Sequence, residues 1–147
     1  MNKKHTIIFS TALIILLLDQ LTKFIIRVNF QLNESIPVIK NIFHFTYITN
    51  TGSAFGLFKG LNILFILFSL VVIAVTLYFL GKIKENERMI QLSVGLLLGG
   101  TLGNLVDRLF HGAVTDFLDF RVWPVFNVAD SAITISVTML IILLWKK

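Results

Sequence analysis

Four long apolar runs divide the chain and decide what it can fold into. They cover approximately Thr6–Val28, Leu61–Leu80, Met89–Phe110 and Asn127–Trp145. Each has about the 20 residues that a helix needs to cross a bilayer. Hydrophobic residues make up 56% of the 147 and charged residues 14%, which is more apolar surface than a soluble domain of this size can bury. The sequence therefore predicts an all-α membrane protein with four transmembrane helices, folded as a single domain over residues 1–147.

The positions of the basic residues predict the orientation of these helices. With four spans, one side of the membrane receives Lys3, Lys4, Lys82, Lys84, Arg88, Lys146 and Lys147, and the other receives Lys40, Lys59 and Arg121. Loops rich in Lys and Arg stay in the cytoplasm, so we expect both termini there and segments 29–60 and 111–126 outside. Since these charges flank apolar runs, the net charge of +5 does not indicate a nucleic-acid partner.

The first run begins like a secretory signal peptide, with MNKKH before TIIFSTALIILLL. No small-residue cleavage site follows and the run continues through DQLTKFIIRV, so we predict an uncleaved first helix. Asp19 and Lys23 lie in its second half, spaced i, i+4, and can pair on one helix face. We expect this pair to brace a polar site in the bundle rather than to catalyse.

Segment 29–60 has the pattern of a small β-sheet. IFHFTYITN alternates apolar and polar residues, and Ser35–Ile39 is a candidate partner strand at the sheet edge. Asn50 to Gly52 then supply turn residues, and the apolar SAFGLF at 53–58 is expected to lie in the interface plane as a short helix. The complete predicted fold is four transmembrane helices with a small extracytoplasmic β-sheet and a short interfacial helix.

The third run carries small and polar residues on neighbouring helix faces. Gly95, Gly99 and Gly103 repeat every four residues and predict a ridge that lets another helix approach closely. Beside that ridge, Asn104 and Arg108 share a face, with Asp107 next to them. Packing alone accounts for the glycines, whereas polar side chains on consecutive turns favour a site.

The fourth run adds a polar stripe of its own. Asn127, Asp130, Thr134 and Thr138 follow 3, 4, 4 spacing, so they share one face of a helix. Polar residues within a span usually face the interior of a bundle, and we expect this stripe to do so.

Asp116 and Asp130 lie at the two ends of the short non-helical segment that connects the third and fourth runs. If this segment folds back on itself as a loop, the two carboxylates come together. The chain has no cysteine and only three histidines, which excludes a thiol nucleophile, disulfides and thiolate metal sites. At about 4 Å and a dielectric near 20, two carboxylates repel by roughly 4 kcal/mol, or about three pKa units. Such a pair holds one shared proton at neutral pH and can hydrolyse a peptide bond without metal or cofactor.

Three alternatives concern individual aspartates. Asp119 competes with Asp116 for the first role, although we expect it to be solvated. Asp130 has the position of an N-cap of the last helix. Asp107, Asp116, Asp119 and Asp130 together offer oxygen ligands for a divalent metal.

Five sequence boxes resemble, in order, those of bacterial lipoprotein signal peptidase, also called signal peptidase II or prolipoprotein signal peptidase. They are DQLTK at 19–23, NTGSAFG at 50–56, GGTLGNLVDR at 99–108, VTDF at 114–117 and PVFNVADSAI at 124–133. The resemblance extends over nearly the whole chain. One departure is that only thirteen residues, 117–129, separate the two aspartates, which looks shorter than is usual in the family.

The resemblance implies an aspartic endopeptidase of the bacterial cytoplasmic membrane that removes signal peptides from diacylglyceryl-modified prolipoproteins and is inhibited by globomycin. Its catalytic pair would be Asp116 and Asp130, and we expect a monomer with no cofactor and no metal. Site-stabilising and substrate-positioning roles would fall on Asn50, Gly52, Asn104, Arg108 and Asn127, and architectural support on Asp19, Lys23 and Asp107.

Two other classes of function compete with this interpretation. A small transporter or proton-relay subunit would use Asp19, Lys23, Asp107, Arg108 and Asp130 to line a polar path. That function predicts polar residues through the full membrane depth, whereas here they gather towards one side. A non-catalytic assembly factor would leave the two aspartates unexplained.

Overall fold

All four predicted helices are present in the computed structural model, which describes residues 3–52 and 60–145. They are α1 (Lys3–Asn29), α2 (Asn62–Phe79), α3 (Arg88–His111) and α4 (Val128–Trp145), and a 3₁₀ turn over Leu80–Lys82 follows α2. Each is long and apolar enough to cross a membrane. The largest difference from the predicted bounds is at the start of α1, which begins at Lys3 instead of Thr6.

Helix α3 lies at the centre of the bundle. In its most apolar stretch 67% of residues are buried, against 17–22% in the other three helices. The predicted glycine ridge is confirmed, because a Cβ atom at Gly99 would come within 2.6 Å of the Ala12 carbonyl oxygen in α1. Gly100 plays the same part towards α4, where its Cβ would lie 2.6 Å from the Ala129 carbonyl oxygen. The two glycines therefore bring α1 and α4 onto adjacent sides of α3.

The interior contains both apolar and polar side chains, and large apolar side chains cover the outside. Leu17 and Phe68 are 59% and 65% exposed, as expected for residues that face lipid. The buried polar residues include Asp19, Lys23, Gln91, Ser93, Asn104, Asp107, Thr115, Asp116, Asn127 and Ser136. Since buried polar groups require partners, this interior must be organised by hydrogen bonds and ion pairs.

A three-stranded antiparallel sheet lies beside the bundle, in the order β1 (Ser35–Ile39), β2 (Phe43–Asn50) and β3 (Val114–Asp119). The first two strands confirm the sheet predicted for segment 29–60. The prediction that Asp116 lies in a loop is wrong, because β3 pairs with β2 and places Asp116 opposite Ile48. Gly112, in the left-handed conformation with φ of 72°, ends α3 and turns the chain into β3.

The polar stripe predicted for α4 is only partly correct. Thr134 and Thr138 are exposed, and the buried residues of α4 are Ala129, Ala132 and Ser136. The Thr138 hydroxyl donates to the Thr134 carbonyl oxygen at 2.8 Å, so it needs no partner inside the bundle. The predicted interfacial helix at 53–58 lies outside the described residues.

Candidate active site

The site begins with an ion pair inside α1. Asp19 and Lys23 are both fully buried, and the Lys23 Nζ lies 2.8 Å from Asp19 Oδ2, so the predicted pairing occurs. Lys23 also donates to Asn104 Oδ1 at 2.9 Å, and Asp19 Oδ1 accepts the main-chain N–H of Ala129 at 2.9 Å. The pair thereby connects α1 to α3 and to the first turn of α4.

Asn104 and Asn127 carry this network to the two candidate carboxylates. Asn104 Nδ2 donates to Asp130 Oδ1 at 2.8 Å, while Asn127 Nδ2 donates to Asp116 Oδ1 at 2.7 Å. The two amides also contact each other, since Asn127 Nδ2 lies 3.1 Å from Asn104 Oδ1. Each aspartate therefore receives a hydrogen bond from a buried amide, and Lys23 in turn holds the Asn104 amide.

The start of α4 fixes Asp130. Asn127 Oδ1 accepts the main-chain N–H of Asp130 at 2.9 Å, and Asp130 Oδ2 accepts the main-chain N–H of Asn127 at 3.2 Å. This reciprocal pair is a capping box, in which Asn127 is the N-cap and Asp130 the third helical residue. The N-cap alternative for Asp130 is therefore wrong, although Asp130 does belong to the cap.

Strand β3 delivers Asp116, whose side chain is only 1% exposed. Asn50, at the end of β2, donates from Nδ2 to Asp116 Oδ2 at 3.1 Å. The Asn50 carbonyl oxygen Oδ1 accepts the main-chain N–H of Gly52 at 2.9 Å, which leaves the NH₂ group facing the aspartate. The turn predicted at Asn50 to Gly52 thus orients a donor towards Asp116.

Asp119 is not solvated, contrary to the expectation from the sequence. It is 4% exposed and accepts hydrogen bonds from Thr46 Oγ1 at 2.7 Å and from Arg121 Nη1 at 2.8 Å. Burial acts to raise the pKa of Asp119, but the hydrogen bonds from Thr46 and Arg121 outweigh it and lower that pKa. Its carboxylate is therefore engaged in tying the sheet to the segment after β3.

One cavity of about 170 Å³ brings together most of the predicted site residues. It is lined by Asn50, Gly52, Phe65, Asn104, Arg108, Val114, Asp116, Val125 and Asp130. Asn127 does not line the cavity, but it contacts three residues that do: Asn104, Asp116 and Asp130. The two candidate carboxylates therefore face the same space, and Asp119 does not line it.

The electrostatics of this cavity keep a proton on the pair near neutral pH. Burial and, to a smaller extent, the nearby Asp130 carboxylate raise the pKa of Asp116 to about 7, although hydrogen bonds from Asn50 and Asn127 act in the opposite direction. Because the two groups interact, the proton belongs to the pair. Such a pair can donate one proton and accept another in the same reaction.

Arg108 lies at the border between this cavity and an apolar cleft of about 320 Å³ between α2, α3 and α4. Its guanidinium carbon is 5.1 Å from the centre of the Phe65 ring, a cation–π distance. Its Nε is buried and has no hydrogen-bond partner among the described residues. The guanidinium also attracts both Asp116 and Asp130 electrostatically. Its buried Nε–H can donate a hydrogen bond to a polar group of a ligand.

Of the four carboxylates of the proposed metal site, only Asp116 and Asp130 line the same cavity. Asp107 is paired with Lys23 and Arg27, and Asp119 with Arg121. No cluster of three or more His, Cys, Asp or Glu that could hold a metal ion occurs within residues 3–52 and 60–145. Asp107 instead has the supporting position that the resemblance implies.

Two residues in this network were missed by sequence reasoning. Arg27 Nη1 contacts both Asp107 Oδ1 at 3.3 Å and Thr115 Oγ1 at 3.1 Å. Its signal was present in the sequence, since Asp19, Lys23 and Arg27 repeat every four residues. Thr115, next to Asp116, carried no signal of its own.

The fold and the site together define a multi-pass membrane protein with two carboxylates that line one cavity of its bundle. Residues 11–146 match the family model described as signal peptidase (SPase) II. The chain therefore belongs to the signal peptidase II family and is a membrane peptidase.

Similarity to known proteins extends over almost the whole chain. It is 46% identical over 140 residues to the lipoprotein signal peptidase of Halothermothrix orenii, covering 95% of this chain and 96% of that protein. It is 48% identical over 135 residues to that of Moorella thermoacetica, covering 92% and 88%. A solved structure titled as a bacterial membrane enzyme superposes with a TM-score of 0.84 at 34% identity, covering 92% of this chain and 85% of that one.

Proposed function

We propose that this protein cleaves the signal peptide from diacylglyceryl-modified prolipoproteins, just before the lipidated cysteine, with Asp116 and Asp130 as its catalytic pair. The names of the relatives support the substrate. The observation that carries the chemistry is that both aspartates line one small cavity while Asn127 contacts each of them. An aspartic mechanism needs such a pair and nothing else.

Asp116 supplies the acid and Asp130 the base. The raised pKa of about 7 leaves about half of the Asp116 side chains protonated at neutral pH, and the protonated form donates its proton to the scissile carbonyl oxygen. Asp130, at the positive end of α4, takes a proton from water as the water oxygen bonds to the carbonyl carbon. When the gem-diol collapses, Asp130 protonates the leaving nitrogen and a hydroxyl proton returns to Asp116, so both groups are restored.

The surrounding polar residues position the reacting groups. Asn104 holds Asp130, whereas Asn50 and Asn127 hold Asp116. Gly52 fixes the Asn50 amide, and Arg108 offers its guanidinium to a carbonyl of the substrate. Preorganised donors of this kind act without reorganising during the reaction, which makes them effective.

Apolar surfaces next to the cavity support a lipidated substrate with an apolar signal helix. The cleft between α2, α3 and α4 shares Phe65, Asn104 and Arg108 with the catalytic cavity. A second groove, of about 710 Å³, reaches Asp130 from the segment after β3 and the exposed side of α4. Binding energy from such remote apolar contacts can hold the scissile bond at the carboxylates.

The enzyme lies in the bacterial cytoplasmic membrane with both termini in the cytoplasm and the aspartates near the outer face. The distribution of Lys and Arg supports this orientation. The protein acts as a monomer, since α1, α3, α4, β2 and β3 of one chain supply the described network around the pair. We expect globomycin, the cyclic peptide that inhibits the family, to inhibit this protein too, with its hydroxyl between Asp116 and Asp130.

Purified protein in detergent, supplied with a diacylglyceryl-modified prolipoprotein, tests the proposal. Asp116→Asn and Asp130→Asn should each abolish cleavage while the thermal unfolding midpoint stays close to that of the parent. Asp119→Asn is the matched control and should keep substantial activity, because its carboxylate does not line the cavity. Robust turnover by either of the first two variants would refute the assignment.

A further inference from the structure

Asp107 is a fully buried carboxylate whose two oxygens each hold several partners. Oδ2 accepts the main-chain N–H of Thr115 at 2.8 Å and lies 3.5 Å from Lys23 Nζ. Oδ1 lies 3.3 Å from Arg27 Nη1 and accepts a hydrogen bond from Gln20 at 3.3 Å. Asp107 therefore joins α1, the end of α3 and the strand that carries Asp116.

Charge balance makes Arg27 necessary to this arrangement. Two buried carboxylates, Asp19 and Asp107, face Lys23, which already pairs with Asp19 at 2.8 Å. Arg27, whose side chain is 19% exposed, supplies the second positive charge. Removing one partner of a buried ion pair leaves an uncompensated charge, so loss of Arg27 would leave Asp107 to compete for Lys23.

Thr115 is held through all of its polar groups. Its N–H donates to Asp107, its Oγ1 accepts from Arg27 at 3.1 Å, and its carbonyl oxygen accepts from Asn127 Nδ2 at 3.3 Å. It is 2% exposed and directly precedes Asp116. The position of this one residue therefore sets where the next side chain points.

We propose that Arg27 is a positioning residue for the reaction, which fixes Asp116 by clamping Thr115 together with Asp107. This role rests on the proposed aspartic mechanism and adds to it a residue outside the cavity. Arg27 touches neither aspartate of the pair. It acts by keeping β3 in the register that lets Asn127 and Asn50 reach Asp116.

A competing role for Arg27 is charge balance alone, which would affect folding but not the geometry of the pair. The two roles differ in the pH profile. If β3 shifts, the 2.7 Å bond from Asn127 to Asp116 weakens. That bond favours the ionised form, so its loss moves the alkaline limb of activity to higher pH. Partial unfolding would lower the amount of active enzyme without moving the limb.

The test compares Arg27→Gln, Arg27→Lys and Thr115→Val in detergent on the diacylglyceryl-modified prolipoprotein. Arg27→Gln should lower kcat about tenfold with little change in KM, since small misplacement of a reacting group costs large factors in rate. Its alkaline limb should move to higher pH. Arg27→Lys should recover most of the activity, because an ammonium has three donors and can contact both Asp107 and Thr115 Oγ1. Arg88→Gln, at the exposed opposite end of α3, is the matched control and should behave as the parent.

Thr115→Val keeps the shape of the side chain and removes only the contact with Arg27, so it tests the clamp even if Arg27→Gln fails to fold. It should lower kcat and shift the limb in the same direction, and the double variant should be no worse than Arg27→Gln alone. A parent-like kcat and pH profile in Thr115→Val would overturn the proposal. So would an Arg27→Gln variant whose activity falls only in proportion to its folded fraction. Asp116→Asn in the same assay separates the two proposals, since its activity would refute the aspartic mechanism itself.

Discussion

Asn127 donates a 2.7 Å hydrogen bond to Asp116, and the same side chain caps the helix that carries Asp130. One buried amide therefore determines both where α4 begins and how the carboxylate from β3 is oriented. Because the donor and the cap are the same group, the helix cannot shift along its axis without changing the pair. The site is in this sense built into the start of the last helix.

Replacing Asn127 should separate its two tasks. Asn127→Ala removes the cap and the donor, so it should cost about 1 kcal/mol of stability and lower kcat/KM by more than about tenfold. Asn127→Ser restores a capping oxygen but not the NH₂ group, and it adds no charge. It should recover the thermal unfolding midpoint in detergent without recovering activity, and an active Asn127→Ser enzyme would show that the donor to Asp116 is dispensable.

The pH dependence of activity should follow the shared proton. Asp116, with a pKa raised to about 7, must be protonated to act as the acid, so kcat/KM should fall as pH rises through that value. The charged groups that influence it are Asp130 from α4, Lys23 from α1 and Arg108 from α3.

The hydrogen bond from Asn50 stabilises the ionised form of Asp116 and lowers its pKa. Asn50→Ala should therefore raise that pKa and move the alkaline limb of the kcat/KM profile to higher pH. A limb that stayed in place, or moved to lower pH, would mean that Asp116 is not the group whose deprotonation ends activity.

The four membrane-spanning helices and the Asp19–Lys23 ion pair could be predicted from local signals in the sequence. Runs of about 20 apolar residues predict helices whatever lies elsewhere, and Asp19 and Lys23 pair through simple helix spacing. Strand β3 had no such signal, because VTDFLD contains two aspartates, which are depleted in strands, and its partner β2 is far away in the chain. Burial of Asp119 depended on Thr46 from that same distant strand, so it was missed for the same reason.

Arg27 was missed for a different reason. A basic residue at the end of a span is typical of a membrane interface, so the four-residue spacing from Lys23 was not enough to mark it as part of the site. Only the three-dimensional proximity of Asp107 and Thr115 gives it a role. For α4 the sequence predicted too many site-facing residues. The Thr138 hydroxyl donates to a carbonyl oxygen of its own helix and therefore needs no partner in the bundle.

The approach of α4 to α3 should depend on Gly100. A Cβ atom at this position would lie 2.6 Å from the Ala129 carbonyl oxygen and 2.8 Å from Ile133 Cγ1, and the backbone atom cannot move without displacing α4. Gly100→Ala should therefore lower the thermal unfolding midpoint and reduce activity by lengthening the Asn104–Asp130 contact. Gly81→Ala, where a Cβ meets nothing within 4 Å, is the control. Equal behaviour of the two variants would contradict this account of the helix packing.

The proposed orientation can be tested directly because the parent chain has no cysteine, so any single cysteine reports its own position. Lys40, next to β1, and Glu85, between α2 and α3, are both exposed. If both termini are cytoplasmic, a membrane-impermeant maleimide added to intact cells should label Lys40→Cys at once and Glu85→Cys only after permeabilisation, because a single span, α2, separates the two sites and places them on opposite faces. Labelling of Glu85→Cys in intact cells, with Lys40→Cys protected, would invert the topology and place the aspartates on the cytoplasmic side, where they would not meet a translocated prolipoprotein.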